Sequence, residues 1–460
     1  MRIFGMFHLI KMFRVGYREE FKFISKQLRM IHNDDIQYPG FYLEEASIYV
    51  HWPYCRKRCH FCNFNKYIDD NVNHMRMRAC LVKEINTIIR ECSVKRINSV
   101  FFGGGTPNLA EPATIEAVLN AVSNCTELVT GSEITMETNP IGNGSSKLED
   151  FKAAGINRVS VGVQALDDSS LGLLGRDHSV LDALKTLDTA KMLFPHRSSV
   201  DILYGLPGQS LESWSATLSK LIPLLDDHIS VYQLTLERGT KLFKMCEEGR
   251  LAIPEEDVLA DMYDLTLEKL DSVGFIAYEI SNYSRSLEAQ STHNKAYWQG
   301  KQYIGIGPGA HSRFVPLTSD SSSYNLERMG SEKWMQGMRE ARIQTLEPIP
   351  WMREVEKVGH GTRLRRQQNK REVLGELLAV GLRTLEGVTE ESWRALSSRA
   401  PTLSECFAES PRLAWLFESG LLTFSTSGAI RATRRGWKVL DRIVPHLLDE
   451  LERALGERGM

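Results

Sequence analysis

Between residues 47 and 236, short apolar runs alternate with stretches of helical spacing. Ser47–His51, Ile97–Phe102, Glu133–Thr138, Arg158–Val163, Ser199–Leu203 and Ile229–Leu236 read as strands. Between them, Asn73–Arg90 repeats apolar residues at helical intervals (Met75, Cys80, Leu81, Ile85, Ile88). Glu111–Asn124, Lys147–Ala154, Val180–Phe194 and Leu211–Leu225 do the same. Strands that alternate regularly with helices predict a parallel sheet with right-handed crossovers. Six such units predict an α/β fold, a (β/α)6 partial TIM barrel, with ligands at the C-terminal strand ends. Past the barrel, Glu255–Val273 reads as a helix and Phe275–Glu279 as the start of a further strand. From Glu372 the spacing is helical again, Trp415–Phe424 and Ala429–Thr433 suggest a β-wing, and Gly436–Leu451 a closing helix. The expected organisation is a leader over 1–40, the barrel with its following segment over 41–315, a connecting segment over 316–371, and a small helical, winged-helix-like domain over 372–460.

Composition changes this picture little. The chain has 460 residues, 42% of them hydrophobic, which is ample for a core. Its 56 basic and 58 acidic residues give a net charge of −2, so no global field draws it to nucleic acid. The basic stretch Arg363–Arg371 has no interleaved aromatic residues and reads as a solvated linker. No apolar run is long enough for a transmembrane segment. Residues 1–30 are different: Arg2, Lys11, Arg14, Arg18, Lys22, Lys26 and Arg29 are interleaved with Phe4, Phe7, Leu9, Ile10, Phe13 and Tyr17. Such a basic amphipathic leader is similar to a mitochondrial transit peptide. The pattern also suits an ordinary N-terminal helix, with a cytoplasmic location as the alternative.

The candidate chemistry begins where the first strand ends. Cys55, Cys59 and Cys62 fall within eight residues as C-x3-C-x2-C, and the other five cysteines are scattered singly. Thiolates suit zinc and iron–sulfur clusters. A structural zinc site wants two pairs of ligands, and here there is no second pair. Three thiolates on a 4Fe–4S cluster would leave one iron open. Gly103–Pro107 (GGGTP) follows the second strand and lets backbone N–H groups approach a ligand. Glu137, Gln164, Arg176 and Asp201 stand at or just past the ends of later strands, as a set of polar contacts on one rim.

The pattern C-x3-C-x-Phe61-C resembles the radical S-adenosylmethionine (SAM) superfamily. The resemblance implies a [4Fe–4S] cluster on Cys55, Cys59 and Cys62, with SAM on the open iron. Tyr49, the cysteines, GGGTP, SVGVQ (Gln164), LLGRDH (Arg176) and DILYGLPGQ (Asp201) are similar to the oxygen-independent coproporphyrinogen III oxidase branch, over roughly residues 45–315. By that resemblance Tyr49, Phe61, Gly104, Gly105, Thr106, Glu137, Gln164, Arg176 and Asp201 form the SAM site. Two features separate the chain from the oxidases themselves. The oxidases carry a fourth cysteine two residues after the third, where this chain has Phe64. His293–Trp298 (HNKAYW) matches the H-N-x-x-Y-W motif of the haem chaperones called HemW and their mitochondrial relatives. The resemblance implies haem bound through His293, and its transfer to an acceptor haemoprotein. It also implies a reductant for the cluster. Oxidative decarboxylation of coproporphyrinogen III is the alternative function.

Overall fold

The protein is described here from a computed structural model, which covers residues 44–92, 94–140, 144–317, 339–396 and 401–456. The leader expected over 1–40 and the polar loop Thr318–Ser323 lie outside these residues. Six strands follow one another in chain order across one sheet: β1 (Glu45–Trp52), β2 (Arg96–Gly104), β3 (Glu127–Thr138), β4 (Arg158–Gln164), β5 (Ser198–Tyr204) and β6 (His228–Gln233). Every neighbouring pair is parallel. The crossovers are helical, as the spacing predicts: α1 (His74–Arg90), α2 (Pro112–Cys125), α3 (Gly144–Ala153), α4 (Asp168–Leu174), α5 (Val180–Leu193) and α6 (Leu211–Leu221). Start signals are explicit where they can be checked. Asn73 accepts the Arg76 N–H, and Ser179 with Asp182 forms a reciprocal capping box.

The strands alternate in a way the apolar runs conceal. Ile48, Val50 and Trp52 of β1, Val100 and Phe102 of β2, and Val159, Val161 and Val163 of β4 face outward and join Met77, Leu81 and Ile85 of α1 in one core. Each such aliphatic side chain, fully buried, contributes about 1.5–3 kcal/mol. The intervening residues face inward and are mostly polar. On β1 and β2 they form three layers, Ser47 beside Ser99, Tyr49 beside Phe101, and His51 beside Gly103.

The sheet continues past both ends of this parallel arc. On one side β8 (Asn282–Ser284) and β7 (Ile276–Glu279) extend β6. On the other, β9 (Gln302–Ile306) runs parallel to β1, and β10 (His311–Phe314), β11 (Glu340–Gln344) and β12 (Thr362–Gln367) continue antiparallel. The order is β12-β11-β10-β9-β1-β2-β3-β4-β5-β6-β8-β7. Within the connecting segment expected over 316–371, residues 339–367 are therefore two strands and a helix, α8 (Pro348–Val358), and Lys370 already begins the next helix. The linker expected over the basic stretch is replaced by edge strand β12. Its residues are exposed beyond Thr362, so no apolar alternation marks it. Arginines on such an edge discourage pairing with another chain.

One carboxylate binds this extension to the barrel. Glu84 of α1 is fully buried and accepts the N–H groups of Gly307 (2.8 Å) and Gly361 (2.7 Å), and that of the Trp351 indole (3.1 Å). Burial outweighs these three donors and pushes its carboxyl up from 4.5 to about 7. A raised acid stabilises the fold fully below its unfolded value and loses that contribution as pH rises through the folded one. Unfolding free energy is therefore expected to fall by roughly 3 kcal/mol between pH 4.5 and pH 8 on account of this group. Denaturant titrations across that range should show this fall, and Glu84→Gln should remove it.

The C-terminal region packs helix α9 (Lys370–Gly381) against α10 (Leu440–Gly456). The expected wing is a two-stranded antiparallel pair, Leu422–Phe424 with Ile430–Ala432, while Trp415 belongs to a short helix before it. Arg313 of β10 holds Glu376 of α9 at 3.0 Å, and Arg383 lies over the Trp298 ring.

Candidate functional site: a thiol pocket on the barrel rim

The cysteine loop springs from the C-terminal end of β1 and is tied down on three sides. At its base Tyr54–Cys55 pairs with Tyr67–Ile68. At its tip the His60 N–H donates to the Leu174 carbonyl (2.9 Å), its ring to Leu173 (2.8 Å), and its own carbonyl accepts from Leu242 (2.8 Å). Gly175 must be glycine there, since its φ is +72° and a Cβ would meet the His60 ring at 2.7 Å. Phe61 is buried among Leu171, Leu174, Leu203 and Leu242, and anchors the middle. The three thiols, half-buried, are left on the inner side of the loop.

The glycine-rich turn after β2 meets that loop. Gly105 N–H donates to Trp52 (2.7 Å) and Thr106 N–H to Tyr54 (2.9 Å). A Cβ on Gly105 would lie 2.7 Å from the Tyr54 carbonyl, so only glycine permits this approach. Gly104, at φ +110°, directs its N–H to Glu137 (3.1 Å), and the Thr106 hydroxyl reaches the Cys55 sulfur (3.4 Å). Arg176 completes the ring. Its guanidinium donates to Cys59 Sγ (3.3 Å), Asn139 (2.9 Å) and the Gly162 carbonyl (3.0 Å), while Asn139 also donates to Thr106. The Ser160 hydroxyl bonds the Asp201 carboxylate (2.8 Å). Gln164 ends β4 in the left-handed region at φ +70°, where the β4–β5 register shifts. That backbone costs on the order of 1 kcal/mol and re-aims the side chain into the pocket.

Cys55, Cys59, Cys62, Phe61, Gly104, Gly105, Thr106, Glu137, Gln164, Arg176 and Asp201 thus line one pocket, as the sequence leads one to expect. Tyr49 does not line it. It lies one layer deeper, its hydroxyl on His51 Nδ1 (3.1 Å), and the His51 ring in turn packs under Gly104. Burial lowers the His51 imidazole to about 4, so it is neutral. His293 lies deeper still. It is 2% exposed, stacks on Phe101 at 4.9 Å, and meets Ser99 through Nδ1 (3.0 Å). Ser99 gives its proton to Ser47 (2.9 Å), so the network assigns the hydrogen to Nδ1 of His293 and the lone pair to Nε2. His293 thus has the place of a hydrogen-bonded interior residue, well removed from the thiols. Sequence reasoning missed His51, Asn139 and Ser160. Asn139 follows Glu137 in a polar strand end, and Ser160 is in phase with Gln164 by the two-residue period of β4, which is the signal that could have found them.

The donor set fits an iron–sulfur cluster better than one metal ion. Tetrahedral zinc at about 2.3 Å would draw its sulfurs to about 3.8 Å from one another. The three sulfurs here do not all lie within 4.8 Å of each other. Burial, joined by the other two thiols against the opposing Thr106 bond, pushes the Cys55 thiol up to about 11, so metal binding must displace its proton. The fit extends to a polar ligand beside the metal. Gln164 Oε1 and Thr138 Oγ1 line the pocket, buried and without hydrogen-bond partners among the described residues. A ligand with amino, carboxylate and hydroxyl groups would satisfy them.

Comparison with known proteins agrees with this chemistry. The model of the radical SAM superfamily matches residues 49–221. The "Radical S-adenosyl methionine domain-containing protein 1, mitochondrial" of Danio rerio is 46% identical over 436 residues, covering 95% of this chain and 94% of its own length. The "Heme chaperone HemW" of Bacillus subtilis is 32% identical over 266 residues, covering 58% of this chain and 70% of that protein. Among solved structures, coproporphyrinogen III oxidase (HemN) from Escherichia coli aligns with a TM-score of 0.68 over 89% of this chain and 90% of its own. At 19% identity that likeness shows the shared fold alone.

Proposed function

We propose a function from one premise: the chain belongs to the radical SAM superfamily and, within it, to the family of the mitochondrial radical S-adenosyl methionine domain-containing proteins. It is a mitochondrial haem chaperone, which binds haem and passes it to an acceptor haemoprotein. Cys55, Cys59 and Cys62 hold a [4Fe–4S] cluster, and Glu137, Gln164, Arg176 and Asp201 with the Gly104–Thr106 turn hold SAM. The cluster, when bound, supplies an open iron for SAM and the electron for its reductive cleavage; the chain's own part is to fix the loop, orient SAM and limit water. A separate reductant would supply that electron.

The observation that carries custody of haem over chemistry on a porphyrin precursor is Phe64. It lines the pocket where the oxidase pattern has its fourth cysteine. An apolar ring stands there in place of a thiol. His293 of HNKAYW is the residue that would hold haem, through its imidazole, once the packing against Phe101 opens. The test is anaerobic: reconstitute the cluster, titrate haem, and assay coproporphyrinogen conversion. The expected result is one haem per chain, weakened about tenfold or more by His293→Ala, and no decarboxylation. Robust SAM-dependent decarboxylation would overturn the reading in favour of the oxidase. Haem bound equally well by His293→Ala would remove only the histidine's role.

A further inference from the structure

A second cavity lies at the opposite end of the barrel from the thiols. It has a volume of about 260 Å³ and opens between the starts of β1 and β2 (Ala46, Ser47, Asn98) and one face of the helix that carries HNKAYW. That helix, α7 (Thr292–Trp298), falls in chain order between α6 and α8. Lys295 and Lys301 bring two ammonium groups to the wall, Gln290 and Gln299 two carboxamides, and Ala296 an apolar patch. Leu287, 75% exposed, stands at the edge. Lys295 donates to the neutral Gln290 side chain (2.9 Å), and neither lysine has a carboxylate partner among the described residues. The one acid in the wall, Glu45, is already engaged by Arg96 (3.2 Å) and Asn98 (2.8 Å).

We propose that this cavity is where haem docks, with its two carboxylate arms on Lys295 and Lys301 and the face of the macrocycle that stays outside against Leu287 at the edge. The inference rests on the haem reading above and gives it a place: the barrel's underside, not the thiol pocket. The volume is below the roughly 300–1,000 Å³ of sites that enclose a drug-sized ligand, so the cavity takes the carboxylate-bearing edge of the macrocycle and leaves the remainder outside. Two ammonium groups without anionic partners among the described residues match a flat dianion. The position also joins haem to its proposed ligand. Ser47 in the cavity wall is hydrogen-bonded to Ser99, and Ser99 to His293, so the histidine stands two hydroxyls behind the docking wall, on the same helix. Edge-on docking suits a carrier, because what is half-held can be handed on.

The test uses the full chain with its cluster reconstituted, and free haem as probe, followed by the Soret difference spectrum. Lys295→Glu/Lys301→Glu is expected to weaken haem binding at least tenfold while cluster absorbance and SAM binding stay unchanged. Lys295→Arg/Lys301→Arg keeps the charge and is expected to bind as the wild type does. Haem dimethyl ester, which lacks both carboxylates, is expected to bind the wild type and the double glutamate variant equally weakly, and this comparison holds even if the variant is less stable. Wild-type-like haem affinity in the glutamate variant, with one haem per wild-type chain, overturns the docking site and leaves the chaperone reading standing. A wild-type chain that takes up no haem overturns both.

Discussion

Replacing Cys55, Cys59 and Cys62 with alanine abolishes the broad absorbance near ~400 nm of the anaerobically reconstituted protein, and SAM binding with it. No other described cysteine lines that pocket, so nothing substitutes for the three. Folding is expected to survive. The loop is held by Phe61 in its apolar cluster, by His60 on Leu173 and Leu174, and by the Tyr54–Tyr67 pairing, none of which uses a thiol. Thermal melting should shift by only a few degrees, the scale of about 1 kcal/mol in a chain of this size. Iron content and absorbance that persist in the triple variant would refute the cluster assignment outright.

The largest loss of stability is expected from Glu133→Ala. Glu133 is 2% exposed and accepts from the Ser291 hydroxyl (3.2 Å), Thr292 N–H (3.1 Å) and His293 N–H (3.1 Å), the first donors of α7. It also faces Arg158, fully buried, at 3.7 Å. Removing the carboxylate takes an ion-pair partner from a buried guanidinium and the acceptor from the first N–H groups of the helix, at a cost of about 3–5 kcal/mol. Glu133→Gln keeps one acceptor and should fall between. Denaturant midpoints read the effect, and a loss under about 1 kcal/mol in the alanine variant would mean that Arg158 finds another partner.

The six strand–helix units and the rim were legible because apolar blocks and punctuating polar residues repeat at the intervals that a parallel sheet requires. Gln164 ends β4, Glu137 is one residue short of the end of β3 and Asp201 lies within β5, and the parallel order of the strands brings them together. What could not be read is equally physical. The inward alternation of Ser47, Tyr49 and His51 is hidden because tyrosine and histidine look like continuations of an apolar run. Strand β12 carries Arg363, Arg365 and Arg366 on an exposed edge, so only hydrogen bonding to β11 makes it a strand. The left-handed backbone of Gln164 has no compositional signature, since it is imposed by the register shift beside it. His293 shows the limit of a motif. HNKAYW names the residue, but its burial against Ser99 and Phe101 is a property of strands nearly two hundred positions away.

Glu84 also decides where the gene can be cut. A fragment ending near residue 317 would keep the parallel arc and every rim residue, and by motif it would look like a complete module. It would lose the backbone of Gly361 and the indole of Trp351, two of the three donors that surround a fully buried carboxylate. It would also leave β10 without β11 as its neighbour. Shortened versions and chimaeras of this protein should therefore retain the extension through Gln367, and beyond it Glu376, whose carboxylate holds the buried Arg313 of β10.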